Sequence, residues 1–134
     1  MKRYYVIIVL FLFTAVSCDY SDSRLVIKNN SQDTVVFDYA LDTVLHERTD
    51  REINAILEDT IPPFEERNKS IRGVNDWWGI IIEKSKNKKL NLFILKKEDL
   101  SNYIWDEIIN RKLYKRYEFT EDELDEINWI VKYP

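Results

Sequence analysis

Residues 77–96 read WWGIIIEKSKNKKLNLFILK, two apolar runs around a basic centre, and how they fold decides the architecture. Ile80 and Ile82 alternate with Ile81 and Glu83, and Leu90, Leu92 and Ile94 alternate with Asn91, Phe93 and Leu95. A period of two in β-branched and aliphatic residues is the strand pattern. Trp77–Lys84 and Leu90–Lys96 are therefore expected to pair as a hairpin, with SKNKK as a solvated basic tip. On such a strand Trp77 and Trp78 point to opposite faces. One enters the core; the other becomes a candidate ligand contact, as a stacking platform for a glycan or an interface anchor.

Working outward, Leu25–Lys28 and Thr34–Leu41 read as strands, the second alternating Val35, Phe37, Tyr39 and Leu41 with Val36, Asp38 and Ala40. NNSQD between them is a turn in which Asn29, Asn30 and Asp33 replace glycine. Ile53, Ile56 and Leu57 predict a short helix within 42–59, ended by Ile61-Pro62-Pro63-Phe64. Residues 65–76 read as loop. Downstream, Leu100, Ile104 and Ile108, widened by Trp105 and Ile109, predict a helix over 101–111. Tyr114–Phe119 reads as a strand. Thr120-Glu121-Asp122-Glu123 is a capping box before a helix with Leu124 and Ile127 inward. Asn128–Tyr133 closes the chain as a strand carrying Trp129, Val131 and Tyr133 on one side. Together these elements predict one α+β domain over 25–134, mainly antiparallel and sandwich-like, with two or three short helices.

The chain opens MKRYYVIIVLFLFTAVSC. Positive Lys2 and Arg3, an apolar run over 4–16 and small residues before Cys18 form the layout of a secretory signal peptide, residues 1–17. The apolar run is shorter than the roughly 20 residues that cross a bilayer. The junction resembles the lipobox of bacterial lipoproteins: Ser17 suits the position before the cysteine, Val16 is acceptable, and Ala15 departs from the usual leucine. The resemblance implies that Cys18 carries a diacylglycerol and a further acyl chain such as palmitate. Each buried methylene contributes about 0.8 kcal/mol, and two or three chains anchor stably where one does not. Residues 18–24 are then the lipidated cysteine and its tether, whose DYSDSR segment reaches at most about 20 Å.

Composition narrows the chemistry. Removal of 1–17 leaves 117 residues with 18 Lys and Arg against 24 Asp and Glu, a net charge of −6. A mildly acidic domain lacks the concentrated basic face that nucleic acid requires. Cys18 is the only cysteine and His46 the only histidine. An acylated Cys18 leaves no disulfide, no zinc site of His and Cys within one chain, and no Cys–His catalysis. No metal or cofactor is expected. His46 stands near Asp42, Glu47 and Asp50, but no nucleophile elbow or phosphate loop accompanies it, so it reads as solvated. The acidic run Glu121–Glu126 lacks the alternating ligands and turn glycine of a Ca²⁺ loop and suits a helix N-terminus. Asp33-Thr34-Val35, Asp42-Thr43-Val44 and Asp59-Thr60-Ile61 resemble the Asp-Thr-apolar acceptor of periplasmic O-glycosylation in Bacteroidota. Thr34 opens a strand, so Thr43 and Thr60 are the candidate sites.

LVIKNNSQDTVVF near the mature start and WDEIINRKLYKRYEFTEDELDEINWIVKYP at the end extend the picture. Together with the Cys18 segment they resemble a group of small lipoproteins of Bacteroidota with no established activity. The correspondence runs through Trp105 to Ile108, Arg116, Tyr117, Leu124, Asn128, Trp129, Tyr133 and Pro134. The resemblance implies a lipid-anchored domain of the cell envelope, at the outer membrane, periplasmic or surface-facing, and supplies no catalytic residues. The expected role is non-enzymatic binding or envelope structure, with membrane lipid as one partner and an unidentified protein or glycan as the other. Alternatives are a glycan-binding surface lipoprotein and an inhibitor or immunity-type lipoprotein.

Overall fold

The computed structural model describes residues 20–134. The signal peptide 1–17 and Cys18 lie outside the described residues. Strands β1 (Ser21–Asp22), β2 (Val26–Asn29) and β3 (Val35–Ala40) come first, followed by helix α1 (Asp50–Glu58). Next come β4 (Glu66–Asn68), β5 (Ile71–Arg72), α2 (Trp77–Lys84), β6 (Leu90–Lys96), α3 (Lys97–Asn102) and α4 (Trp105–Arg111). The chain ends with β7 (Lys115–Phe119), α5 (Glu121–Glu126) and β8 (Ile130–Tyr133).

The fold is α+β. Its centre is the antiparallel sheet β3-β6-β7, in which Tyr39, Leu92 and Tyr117 share one cross-strand row. A second sheet, β4-β2-β8, pairs β2 antiparallel with β4 and parallel with β8. Leu90 to Leu95 are buried without a break, because both faces of the central sheet are covered. One face packs Val35, Phe37, Leu90, Leu92 and Ile94 against Leu25 and against Ile27 and Val131 of the second sheet, with Trp78, Ile81 and Ile82 of α2 and Leu124 of α5. The other packs Val36, Ala40, Phe93 and Leu95 against Leu45 and the helical residues Trp105 and Ile108, flanked by Ile53, Ile56 and Leu100. The domain is thus three layers deep, sheet on sheet on helices.

The hairpin expected over 77–96 is half wrong. Leu90–Lys96 is a strand, but Trp77–Lys84 is a helix whose inward face is Trp78, Ile81 and Ile82, the i, i+3, i+4 set. Its β-branched residues and Gly79 disfavour a helix by some tenths to about 1 kcal/mol each. Burial of the three large side chains contributes about 1.5–3 kcal/mol apiece and decides the conformation.

Other departures are local. The helix expected over 101–111 is two helices, with a break at Tyr103 and Ile104, both in extended backbone. Residues 65–76 contain β4 and β5 as well as loop, and the described residues hold five helices rather than two or three. Ile127 does not face inward: it is 38% exposed, whereas Leu124 is fully buried. NNSQD links strands of two different sheets. The expected capping box is complete, Thr120 and Glu123 capping α5, and the structure adds a second, in which Thr49 and Glu52 cap α1.

Candidate functional site

Residues 20–24, part of the segment 18–24 expected as a polar tether, are built into the domain. Ser21 and Asp22 pair antiparallel with Arg72 and Ile71. The Gly73 amide donates to the Tyr20 carbonyl at 2.7 Å. Gly73 adopts φ +95°, a backbone that glycine takes without strain. Asp22 is 1% exposed. One of its carboxylate oxygens accepts the Trp78 amide at 3.0 Å and an Arg24 Nη at 2.9 Å; the other accepts Arg24 Nε at 3.0 Å. It therefore caps α2 from 56 residues away, satisfying an N-terminal amide that the neighbouring Asp76 side chain leaves free. Asp76 instead takes an Arg24 Nη at 2.5 Å, lying where a Cβ on Gly79 would sit. Arg24 also reaches Glu121 at 3.3 Å and stacks over Trp129 at 4.1 Å.

Burial pushes the Asp22 pKa upward, but the Arg24 side chain and the Trp78 and Arg24 amides outweigh it, and the net shift is below the usual carboxylate range. A carboxyl depressed in the fold contributes stability above its unfolded pKa of about 3.9 and loses it as pH falls through the folded value. Asp22→Asn keeps the shape and removes the charge. It is expected to cost about 1–3 kcal/mol at neutral pH, in a deficit that closes as pH falls through the lowered folded value, measured by urea unfolding across pH.

A concavity lies beside β3 and the 41–48 loop. This open cleft of about 580 Å³ is lined by Asp38, Tyr39, Leu41, His46, Arg48 and Ile81, among others. Asp38 accepts Arg48 Nε at 2.9 Å, and Arg48 donates to the Tyr39 carbonyl at 3.4 Å. Period-two reading places Asp38 on a solvated face, yet the helical layer covers that face and leaves Asp38 9% exposed, so it requires a cationic partner. The signal was present in β6, whose two parities are both largely apolar. His46 is exposed at the mouth of this cleft and of a neighbouring one beside Glu47 and Asp106, while its carbonyl accepts Trp105 Nε1 at 2.8 Å. Arg48 is committed to Asp38 and lies 3.8 Å from Glu52, so the cleft offers no free cation there to seize an anion.

No protein-family model, curated protein or solved structure matches this chain. The geometry alone places the remaining candidates. Trp78 is fully buried and meets Tyr39 edge-to-face at 5.2 Å, so it offers no platform to a ligand. Trp77 is half-buried against the same core, its indole nitrogen enclosed. Both tryptophans lie on one helix rather than on opposite strand faces, which withdraws the geometry that motivated a stacking site. Thr43 and Thr60 are half-buried loop residues. The Thr43 carbonyl accepts Arg116, and its hydroxyl lies 3.4 Å from Asp42. The Thr60 carbonyl accepts Arg67. Asp42 is held below the usual carboxylate range, chiefly by its ion pair with Lys86. Glu121–Glu126 is a capped helix, and among the described residues no group of three or more His, Cys, Asp or Glu is placed to hold a metal ion.

Proposed function

We propose that this chain is a lipid-anchored domain of the cell envelope, held through acylated Cys18, with a binding or structural role rather than an enzymatic one. The observation that carries the reading is the residue order from Lys2 to Cys18, which places a lipobox-like cysteine three residues before the first strand of the domain. Three residues span about 10 Å. An acylated Cys18 would therefore hold β1 and the Asp22–Arg24 clamp against the membrane surface, on a shorter tether than the seven residues 18–24 suggested. Such close apposition suits a protein whose partner is another envelope component. The partner is an unidentified protein or glycan; burial of Trp78 leaves the glycan alternative resting on half-buried Trp77 alone. The outer membrane is the proposed location, as the resemblance to Bacteroidota lipoproteins implies.

Phase separation in a cloud-point detergent tests the anchor. The native chain is expected in the detergent phase, with a mass matching removal of 1–17 and addition of two or three acyl chains. Cys18→Ser is expected in the aqueous phase. A native chain that partitions with water, or keeps Met1, overturns the reading. Protease treatment of intact and permeabilised cells then separates surface from periplasmic display.

A further inference from the structure

Strand β7 is the outer strand of the central sheet, and among the described residues no strand pairs with its free edge. Lys115, Arg116 and Glu118 are exposed on it, while Tyr117 and Phe119 are half-buried and stacked at 6.2 Å. Strand β8 is likewise the last strand of its sheet, and Lys115 Nζ lies 5.2 Å from the Tyr117 ring and 6.0 Å from that of Tyr133, so both open edges flank one side of the sandwich.

We propose that the β7 edge pairs with the β7 edge of a second copy of this chain, joining two three-stranded sheets into one of six. The sequence Lys115-Arg116-Tyr117-Glu118-Phe119 is complementary to itself when run antiparallel about Tyr117. Arg116 of each copy then stands across from Glu118 of the other, Tyr117 faces Tyr117, and Lys115 lies opposite Phe119. Such a two-fold contact is self-closing, because each pairing occurs twice. Opposite charges and aromatic pairs directly across strands stabilise antiparallel sheets, and like charges there destabilise them. Charged residues on an edge ordinarily discourage pairing with arbitrary strands. Here the two charges match one partner register, that of the same strand reversed. Within its own chain Glu118 already accepts Arg116 at 2.8 Å and Lys89 at 3.4 Å, so an incoming Arg116 would complete a charge cluster.

Sedimentation of the full chain in detergent micelles, together with its charge reversals, tests the pairing. The parent chain is expected to dimerise. Arg116→Glu and Glu118→Arg each set like charges opposite one another twice and are expected to weaken the dimer about tenfold or more. The combined Arg116→Glu, Glu118→Arg chain restores both pairs and the dimer. A second measurement fixes the register: Arg116→Cys chains mixed with Glu118→Cys chains form a covalent dimer on oxidation, since directly opposed Cα atoms lie within disulfide reach. Arg116→Cys alone does not, its two copies being offset by two residues; the parent chain run alongside accounts for Cys18. A monomeric parent chain overturns the proposal. So does a dimer indifferent to both single reversals, a double reversal that fails to restore it, or a mixture that does not cross-link.

Discussion

Trp78→Ala is expected to lower unfolding stability by about 3–5 kcal/mol, the range for removing a large buried aromatic, read as a drop in the urea midpoint at unchanged slope. Trp78 is fully buried at the start of α2, between the second sheet and the inner face of the central one, and packs edge-to-face on Tyr39. Its loss leaves a cavity lined by residues of several elements, which cannot all collapse inward together. Its amide is also the one that Asp22 caps, so motion of the helix start would loosen the Arg24 cluster. The indole nitrogen has no hydrogen-bond partner in the core. Trp78→Phe keeps most of the packing and removes that unpaired donor, and is expected to cost about 1–2 kcal/mol. A ligand platform would behave in the opposite way: either change would spare stability and abolish binding. Stability lost in the order Ala far above Phe supports a purely structural Trp78.

The same helix shows where sequence reading reaches its limit. WWGIIIEK fits a strand as well as a helix, because a short run apolar at nearly every position carries no usable period. What selects the helix is remote: the Asp22 cap and the face that Trp78, Ile81 and Ile82 find against the sheets. Leu90–Lys96, Thr34–Leu41 and the Thr120 capping box were legible because their signals are local, an alternation or a cap lying within a few residues. The split at Tyr103 and Ile104 was hidden, since Leu100, Ile104 and Ile108 keep helical spacing through a break that leaves Ile104 68% exposed. Of the residues behind the lipoprotein resemblance, Trp105, Ile108, Leu124 and Trp129 are buried and serve the core, whereas Asp106, Arg116, Asn128 and Pro134 are exposed. The buried part of that pattern informs the fold rather than any site. Asp22–Arg24 and Asp38–Arg48 were missed because a lone charge looks solvated until the layer covering it is known.

Asn29→Asp is expected to destabilise the fold by at least about 3 kcal/mol at neutral pH, although it replaces one atom. Asn29 is fully buried at the end of β2, where the chain leaves one sheet for the other. Its Nδ2 donates to the carbonyls of Asp33, Pro62 and Ile61 at 2.7, 3.0 and 3.1 Å. Its Oδ1 accepts from the Ser31 amide and hydroxyl at 3.0 and 2.7 Å. One amide thus closes NNSQD and ties it to the Ile61–Pro62 segment, which bridges Val35 at the start of β3. A carboxylate there would turn an oxygen toward three carbonyl oxygens, with no proton to donate and little water to screen it. Protonation restores one of the lost donor contacts, so the introduced carboxyl should titrate well above its unfolded value of about 3.9. A group whose acid pKa rises on folding loses stability as pH climbs from the unfolded to the folded value. The gap between the variant and the natural chain should accordingly be smallest near pH 4 and widen toward neutrality, the same direction as the Asp22→Asn gap, although here the titrating carboxyl belongs to the variant. Asn29→Ala, which removes the amide without adding charge, should show a deficit that barely moves with pH. Urea midpoints of the three chains at pH 4 and pH 7 test this, and a pH-independent Asn29→Asp deficit would exclude a buried carboxyl facing those carbonyls.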